Sequence, residues 1–232
     1  MAKLLDLSAV DTNVNDLASP SNNVEDRSSV KRCYLIAKRV LDILISLFGI
    51  VICIVPMAVI SILIKIESPG PAIYVHHRIG KNGKSLPLLK FRSMRKDADE
   101  LIRYFTPEQM KEWEENFKLD DDPRITRIGK FLRRSSFDEL PQLFNVLAGQ
   151  LSVVGPRPIV TEELEKYGAD KDKFLSVPPG LTGYWQAYAR STCSYEERME
   201  MELFYVDNAN FWWDIKIIFA TFGAVLRGHG AK

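Results

Sequence analysis

What this sequence has little of narrows its function before any motif is considered. It has no surplus of charge of either sign: 31 basic residues against 30 acidic give a formal net charge of +1. Proteins that bind nucleic acid through its backbone carry a basic excess, so composition argues against that class. It has only three cysteines, Cys33, Cys53 and Cys193, an odd number at wide spacing. They make neither a disulfide framework nor a zinc pattern, which fits a reducing cytosol; Cys53, inside an apolar run, reads as a small hydrophobe. The three histidines, His76, His77 and His229, lack metal-ligand spacing, which argues against transition-metal chemistry. No repeat or low-complexity block is present, and 232 residues suffice for one domain with a buried core.

Residues 1–29 are rich in Asn, Ser, Asp and Val, without helical or strand period, and read as a disordered tail. They lack the basic start and cleavage site of a secretory signal. Lys31, Arg32, Lys38 and Arg39 follow, and then Ile43 to Ile64 runs without a single charge. That run is long enough to span a bilayer, which takes roughly 20 apolar residues. Pro56 lies near its middle and removes a backbone donor, so the segment is either a kinked spanning helix or a re-entrant hairpin that enters and leaves on one face. The basic residues favour a cytoplasmic amino end, and with Lys65 nearly alone at the other end the charge rule by itself permits a single span.

From Ser68 onward the composition is that of a soluble domain. Ala72 to His76 and Leu86 to Phe91 read as hairpin strands about the turn Gly80–Gly83. Asp97 to Phe105 is helix-like. Thr106, Pro107 and Gln109 open another helix with a capping box, and the acidic run ending at Pro123 closes it. Ile125 to Arg134 is a basic, partly apolar segment. A helix is expected from near Asp138 to Ala148, stopping at Gly149. Leu151 to Val154 is strand-like; Thr161 to Tyr167 and Tyr195 to Val206 look helical; Phe211 to Leu226 is a strongly apolar last helix.

Four clusters carry candidate chemistry. The richest is Arg133-Arg134-Ser-Ser-Phe-Asp138-Glu139-Leu-Pro141-Gln-Leu-Phe-Asn145-Val. Pro141 is tolerated only in a first helical turn, so the helix begins near Asp138, where the dipole keeps a carboxylate ionised and free N–H groups can receive phosphate. An ionised Asp138 can attack phosphorus or ligate Mg²⁺, Glu139 can help position the ion, and Arg133 and Arg134 can neutralise phosphate oxygens. The plainer reading is that Asp138 is an N-cap and Glu139 a favourable dipole charge. Gly155-Pro156-Arg157-Pro158 restricts where Arg157 points, which suits phosphate recognition and equally a surface turn. Lys90 and Arg92 alternate with Phe91 as on a half-buried strand, where a solvated polar face is the simpler account. Pro179 to Gln186 forms a loop in which Trp185 and Gln186 can meet a base or sugar, although a core tryptophan explains Trp185 as well.

In this order, behind a proline-interrupted apolar run, the clusters resemble the bacterial sugar transferase family, the monotopic phosphoglycosyltransferases, over about residues 31–230. The runs Ser136 to Val146 and Leu151 to Pro158 carry the resemblance most specifically. The carboxy-terminal half is similar to galactose- or glucose-phosphate transferases that begin O-antigen or capsule synthesis. Many of those have additional amino-terminal membrane helices, and this chain resembles the compact form.

The resemblance implies an α+β fold: a membrane re-entrant helix-hairpin (30–67) bent at Pro56, with a compact, mainly helical cytosolic catalytic domain (68–232) bearing a short β-hairpin and interfacial amphipathic helices. It implies that Asp138 attacks the β-phosphate of a UDP-sugar, releasing UMP, and that undecaprenyl phosphate then takes the phospho-sugar. Glu139 and Asp138 would hold Mg²⁺. Arg133 and Arg157 would grip phosphate oxygens, with Lys90, Arg92, Gln186 and Arg190 completing the substrate contacts. The bilayer and a homodimer are further implied partners, and the location is the cytosolic face of the bacterial inner membrane. Around Phe211 to Phe219 an interfacial helix and a simple core helix remain equal readings. Pro178 stands where the family usually has a basic residue, and Ala189-Arg190 where it has Gly-Arg. Two other classes remain: a catalytically silent membrane scaffold and a Mg²⁺-dependent nucleotide-sugar hydrolase.

Overall fold

A long uncharged run satisfies its backbone best as a helix, and the computed structural model has one there, α1 (Pro20–Glu67). The structure describes residues 20–116, 119, 122–189 and 193–226, with backbone only at 20–30, 101–102, 114–116 and 225–226. Two units are distinguished, one ending at Ile36 and one beginning at Ala37. In the first, the described residues are helical backbone and exposed or half-buried side chains; all that follows concerns the second.

The re-entrant hairpin expected at Pro56 is not what the structure has: one helix runs through Pro56. Proline removes one donor and crowds the carbonyl four residues before it, a local cost that a long helix absorbs as a kink. The helix also starts at Pro20, inside the stretch expected to be tail, while residues 1–19 lie outside the described residues. Along α1, Lys38, Asp42, Ser46, Met57, Ile60 and Ile64 are buried. Leu44, Phe48, Val51, Val55, Ile62 and Ile66 are exposed. This is an apolar outer face of the kind that lipid or another protein covers.

After α1 the antiparallel hairpin β1 (Ile73–Ile79) and β2 (Ser85–Phe91) pairs Ile73 with Phe91 and Ile79 with Ser85. Its turn carries Asn82 and Gly83 at positive φ, 56° and 74°. Then come α2 (Leu101–Tyr104), α3 (Pro107–Asn116), α4 (Arg127–Ser135) and α5 (Gln142–Leu147). The capping box of α3 forms as the sequence indicates: Gln109 N–H donates to Thr106 Oγ1 at 3.3 Å and Thr106 N–H to Gln109 Oε1 at 3.0 Å. Next, β3 (Ser152–Val154) pairs in parallel with β4 (Gly180–Thr182), and α6 (Thr161–Leu164) and α7 (Lys171–Leu175) lie between them in the chain. Last come α8 (Tyr184–Tyr188), α9 (Tyr195–Asn208) and α10 (Phe211–Leu226). The main core joins Leu86 and Leu88 of β2 to Val146, Leu151, Tyr205 and Ile217. Each such buried aliphatic contributes roughly 1.5–3 kcal/mol. A second cluster packs Met57, Ile60 and Ile64 of α1 on Ala72, Phe91 and Leu132.

Polar pins fix α1 to this body. Lys38 Nζ donates to Asp214 Oδ2 of α10 at 2.8 Å and to the Val154 carbonyl at 2.8 Å. Asp42 Oδ1 accepts Val153 N–H at 2.8 Å and Ser152 Oγ–H at 3.0 Å. Arg39 donates to the carbonyls of Val146 and Leu147 at 2.7 and 2.8 Å, closing the carboxyl end of α5. Lys38 and Arg39, which in the sequence read as orienting charges, are therefore docking residues as well.

Candidate active site

The site is assembled where β2, α4 and the turn before α5 meet. Helix α4 starts under a double cap: Thr126 Oγ1 accepts Gly129 N–H at 2.9 Å, while the Glu67 carboxylate at the end of α1 accepts Arg127 and Ile128 N–H at 2.7 and 2.9 Å. A Cβ on Gly129 would lie 1.9 Å from the Ser93 carbonyl oxygen, so only glycine lets α4 approach the segment after β2. At the other end of α4, Arg133 Nε donates to Ser93 Oγ at 2.8 Å. Ser136 then takes left-handed backbone (φ 58°), turning the chain into a single 3-10 turn, Phe137–Glu139. Pro141 sits in the right-handed helical region directly before α5, as its fixed φ requires, and Gly149 (φ 78°) ends that helix.

This turn presents Asp138 and Glu139 side by side. Lys90 Nζ of β2 donates to Glu139 Oε1 at 2.8 Å. Asp138 is half-buried, and burial pushes its carboxyl above the ordinary range; Lys90 and Arg133 pull it back down, and Glu139 pushes it further up. The expected effect of a helix dipole holding Asp138 ionised is therefore outweighed by desolvation, because one 3-10 turn sums few peptide dipoles.

Asn145, which has no assigned role within its motif, sets this geometry. Its Oδ1 accepts Leu89 N–H at 3.0 Å, and its Nδ2 donates to the Pro87 carbonyl at 2.9 Å and to Gln150 Oε1 at 2.7 Å. The amide thus stands in for a neighbouring strand on β2 and fixes Lys90 opposite Glu139. An asparagine at that position in an apolar run was the available signal.

The other named residues divide. Arg92 is placed away from the carboxylates: it is buried, with its guanidinium donating to the carbonyls of Ser68 and Pro69 just past the end of α1. Arg157 is exposed, its guanidinium 5.7 Å from the Trp185 ring centre. Gln186 Nε2 faces the Leu181 carbonyl at 3.4 Å. Arg190 lies outside the described residues. Among the described residues no group of three His, Cys, Asp or Glu gathers to hold a metal. Two adjacent carboxylates are nonetheless a fitting hard-oxygen set for Mg²⁺, which commonly binds through one or two carboxylates, substrate phosphates and water.

An apolar cavity of about 280 Å³ opens between α1 (Ile54, Met57, Ala58), the hairpin (Ile73) and Pro141 and Phe144. The turn that bears the charged pair thus runs on, at Pro141, into a wall that suits hydrocarbon.

The sequence profile described as "Bacterial sugar transferase" matches residues 33–228. The chain is 44% identical over 213 residues to "Undecaprenyl-phosphate galactose phosphotransferase" of Salmonella typhimurium, covering 90% of this chain and 44% of that protein. It is 43% identical over 214 residues to "UDP-galactose-lipid carrier transferase" of Erwinia amylovora, covering 91% of this chain and 44% of that protein. It is 39% identical over 217 residues to "Exopolysaccharide production protein ExoY" of Rhizobium meliloti, covering 92% of this chain and 96% of that protein. It therefore spans less than half the length of the first two relatives and nearly all of the third.

Proposed function

The chain belongs to the bacterial sugar transferase family, and from that premise we propose that it transfers a sugar-1-phosphate from a UDP-sugar to undecaprenyl phosphate, opening a polysaccharide pathway. The observation that carries the proposal is the Asp138–Glu139 pair, flanked by Lys90 and Arg133 and followed by Pro141, which lines an apolar cavity on α1. Asp138 carboxylate oxygen attacks the β-phosphorus of the donor; the bond from that phosphorus to the bridging oxygen breaks, and UMP departs with the electron pair. A phosphate oxygen of the acceptor then attacks the same phosphorus and returns Asp138 as free carboxylate. Lys90 and Arg133 favour the ionised form of Asp138 and neutralise charge on the transferring group. Asp138 and Glu139 would hold Mg²⁺, which when bound offsets the charge of the diphosphate.

The membrane is the second part of the proposal. Buried contacts to one body run along α1 from Lys38 to Ile64. A helix crossing the bilayer away from its domain would leave its far half without such contacts. Both ends of the apolar run are thus proposed to stay on the cytosolic face, where UDP-sugars are made, with the exposed apolar face of α1 in lipid. Trp212, Phe219 and Phe222, all exposed on α10, would add an interfacial contact.

Membrane-reconstituted protein supplied with Mg²⁺, undecaprenyl phosphate and a panel of UDP-sugars should release UMP from one donor in a carrier-dependent manner. UMP release that ignores the carrier would favour hydrolysis, and none from any donor would favour a scaffold.

A further inference from the structure

We propose that Ser93 is a positioning residue for the reaction: by accepting Arg133 Nε–H it keeps Arg133 from closing onto Asp138, so that the carboxylate and the outer edge of the guanidinium both stay open to the transferring phosphate. The proposal rests on the transfer reaction above and adds what holds one of its cations in place.

Electrostatics draws Arg133 toward Asp138. It stands five residues before Asp138 in the chain, and its own carbonyl accepts Ser136 N–H at 3.2 Å where the turn bearing the carboxylates begins. Burial pushes the Arg133 pKa down, the charges of Asp138 and Asp122 pull it up, and Arg124 pushes it down again. Of those two carboxylates Asp122 is already engaged, because Arg124 donates to it from Nε at 2.9 Å and from Nη2 at 2.6 Å. Arg124 is held in turn by the Ala98 carbonyl at 3.3 Å and by the Phe105 and Trp113 rings, whose centres lie 4.7 and 4.3 Å from its guanidinium carbon. Asp138 is the carboxylate left to Arg133. A long side chain beside an opposite charge pairs with it unless another contact holds it away. Yet among the described residues Arg133 forms no ion pair, and its side chain bonds to Ser93 instead.

Ser93 is fixed well enough to do this. It is buried, and its backbone runs against the start of α4: Thr126 N–H donates to the Ser93 carbonyl at 3.1 Å, and Arg95 N–H to the Arg124 carbonyl at 2.9 Å. Just upstream, Arg92 N–H donates to the Ala72 carbonyl at 2.8 Å, and the Arg92 side chain is anchored past the end of α1. The Ser93 hydroxyl therefore has one place to be, and Arg133 Nε–H meets it there at 2.8 Å.

The choice of nitrogen matters. A guanidinium offers two bidentate edges, one made by Nε with an Nη and one made by the two Nη groups. A bond at Nε uses the first edge and leaves the second for two oxygens of a phosphate. The same short segment sends Lys90 to Glu139, so the end of β2 sets both cations of the site. Arg92, although placed away from the carboxylates, anchors that segment.

The test is a double-mutant cycle in full-length, membrane-reconstituted protein, supplied with Mg²⁺, undecaprenyl phosphate and the UDP-sugar that the wild type uses. Ser93→Ala should lower kcat about tenfold while KM changes by less than about threefold, and Ser93→Thr, which keeps the acceptor, should recover most of the loss. In an Arg133→Ala background Ser93→Ala should cost nothing further, because its effect passes through the guanidinium. A serine that served only the fold would cost the same in both backgrounds. A second readout does not need turnover: the Arg133 Nε–H resonance, assigned by its absence from Arg133→Lys, should stay near its wild-type position in Ser93→Thr and leave it in Ser93→Ala. Equal costs in the two backgrounds, wild-type turnover in Ser93→Ala, or an Nε–H resonance that Ser93→Ala does not move would each overturn the proposal. A resonance that moves in Ser93→Ala of a protein whose wild type transfers nothing would support the hold on Arg133 and sink the transfer reaction instead.

Discussion

Replacing Asn145 probes how the fold holds the reactive carboxylates. Its side chain makes three hydrogen bonds, at 3.0, 2.9 and 2.7 Å, two of them to backbone groups of β2. Asn145→Ala removes all three and leaves Leu89 N–H and the Pro87 carbonyl without these partners. At roughly 1 kcal/mol per bond, the loss is about 3 kcal/mol. For a chain of this size that is a fall of roughly 6–12 °C in melting temperature. Asn145→Asp is nearly isosteric and can still accept from Leu89, yet it turns a carboxylate toward the oxygens of Pro87 and Gln150, so it should be at least as damaging as alanine. Thermal melts followed by circular dichroism in detergent give the comparison, with UMP release measured below the transition. If Asn145→Asp melts with the wild type, the amide is not pinning β2, and the account of how Lys90 meets Glu139 fails.

Three further outcomes follow from the same geometry. Because burial raises the Asp138 pKa and the nucleophile must be ionised, activity should fall as pH drops through a value above the ordinary carboxylate range; Lys90→Met should move that limb to higher pH and Glu139→Gln to lower pH, read from kcat/KM against pH. Lys38→Met should destabilise by about 3–5 kcal/mol by taking the ammonium counter-charge from buried Asp214, whereas Lys38→Met with Asp214→Leu should recover much of the loss in the same melts. In vesicles, a membrane-impermeant thiol reagent should reach Cys33 and a cysteine placed at Pro71, both exposed positions, from the same side; opposite sides would mean a true span.

How far the sequence could be read depended on whether the cause was local. The last helix, Phe211–Leu226, and the Thr106–Gln109 capping box follow from composition and short-range hydrogen bonding, and both form where expected. The hairpin strands were placed within a few residues. Basic residues masked α4, although Ile128, Phe131 and Leu132 already stand at helical spacing. β4 was hidden in a loop of prolines and glycines, since its partner β3 lies far back in the chain. Pro56 by itself leaves a kinked helix and a hairpin open, and the resemblance favours the hairpin; one helix runs through it, and contacts spread along α1 hold that helix to the body. Within the site, Asp138, Glu139 and Lys90 were legible as charged motifs. The burial that raises Asp138, the diversion of Arg92 to the end of α1 and the anchoring by Asn145 depend on neighbours brought from elsewhere, which no local pattern records.

The central claim is that Asp138 becomes covalently bonded to the transferring phosphate, and intact-mass spectrometry of the protein tests it most directly. With a competent UDP-sugar and Mg²⁺ but no acceptor, the account predicts a phospho-sugar adduct that maps to Asp138, disappears when undecaprenyl phosphate is added, and is absent from Asp138→Asn. Turnover that continues at the wild-type rate in Asp138→Asn would contradict it.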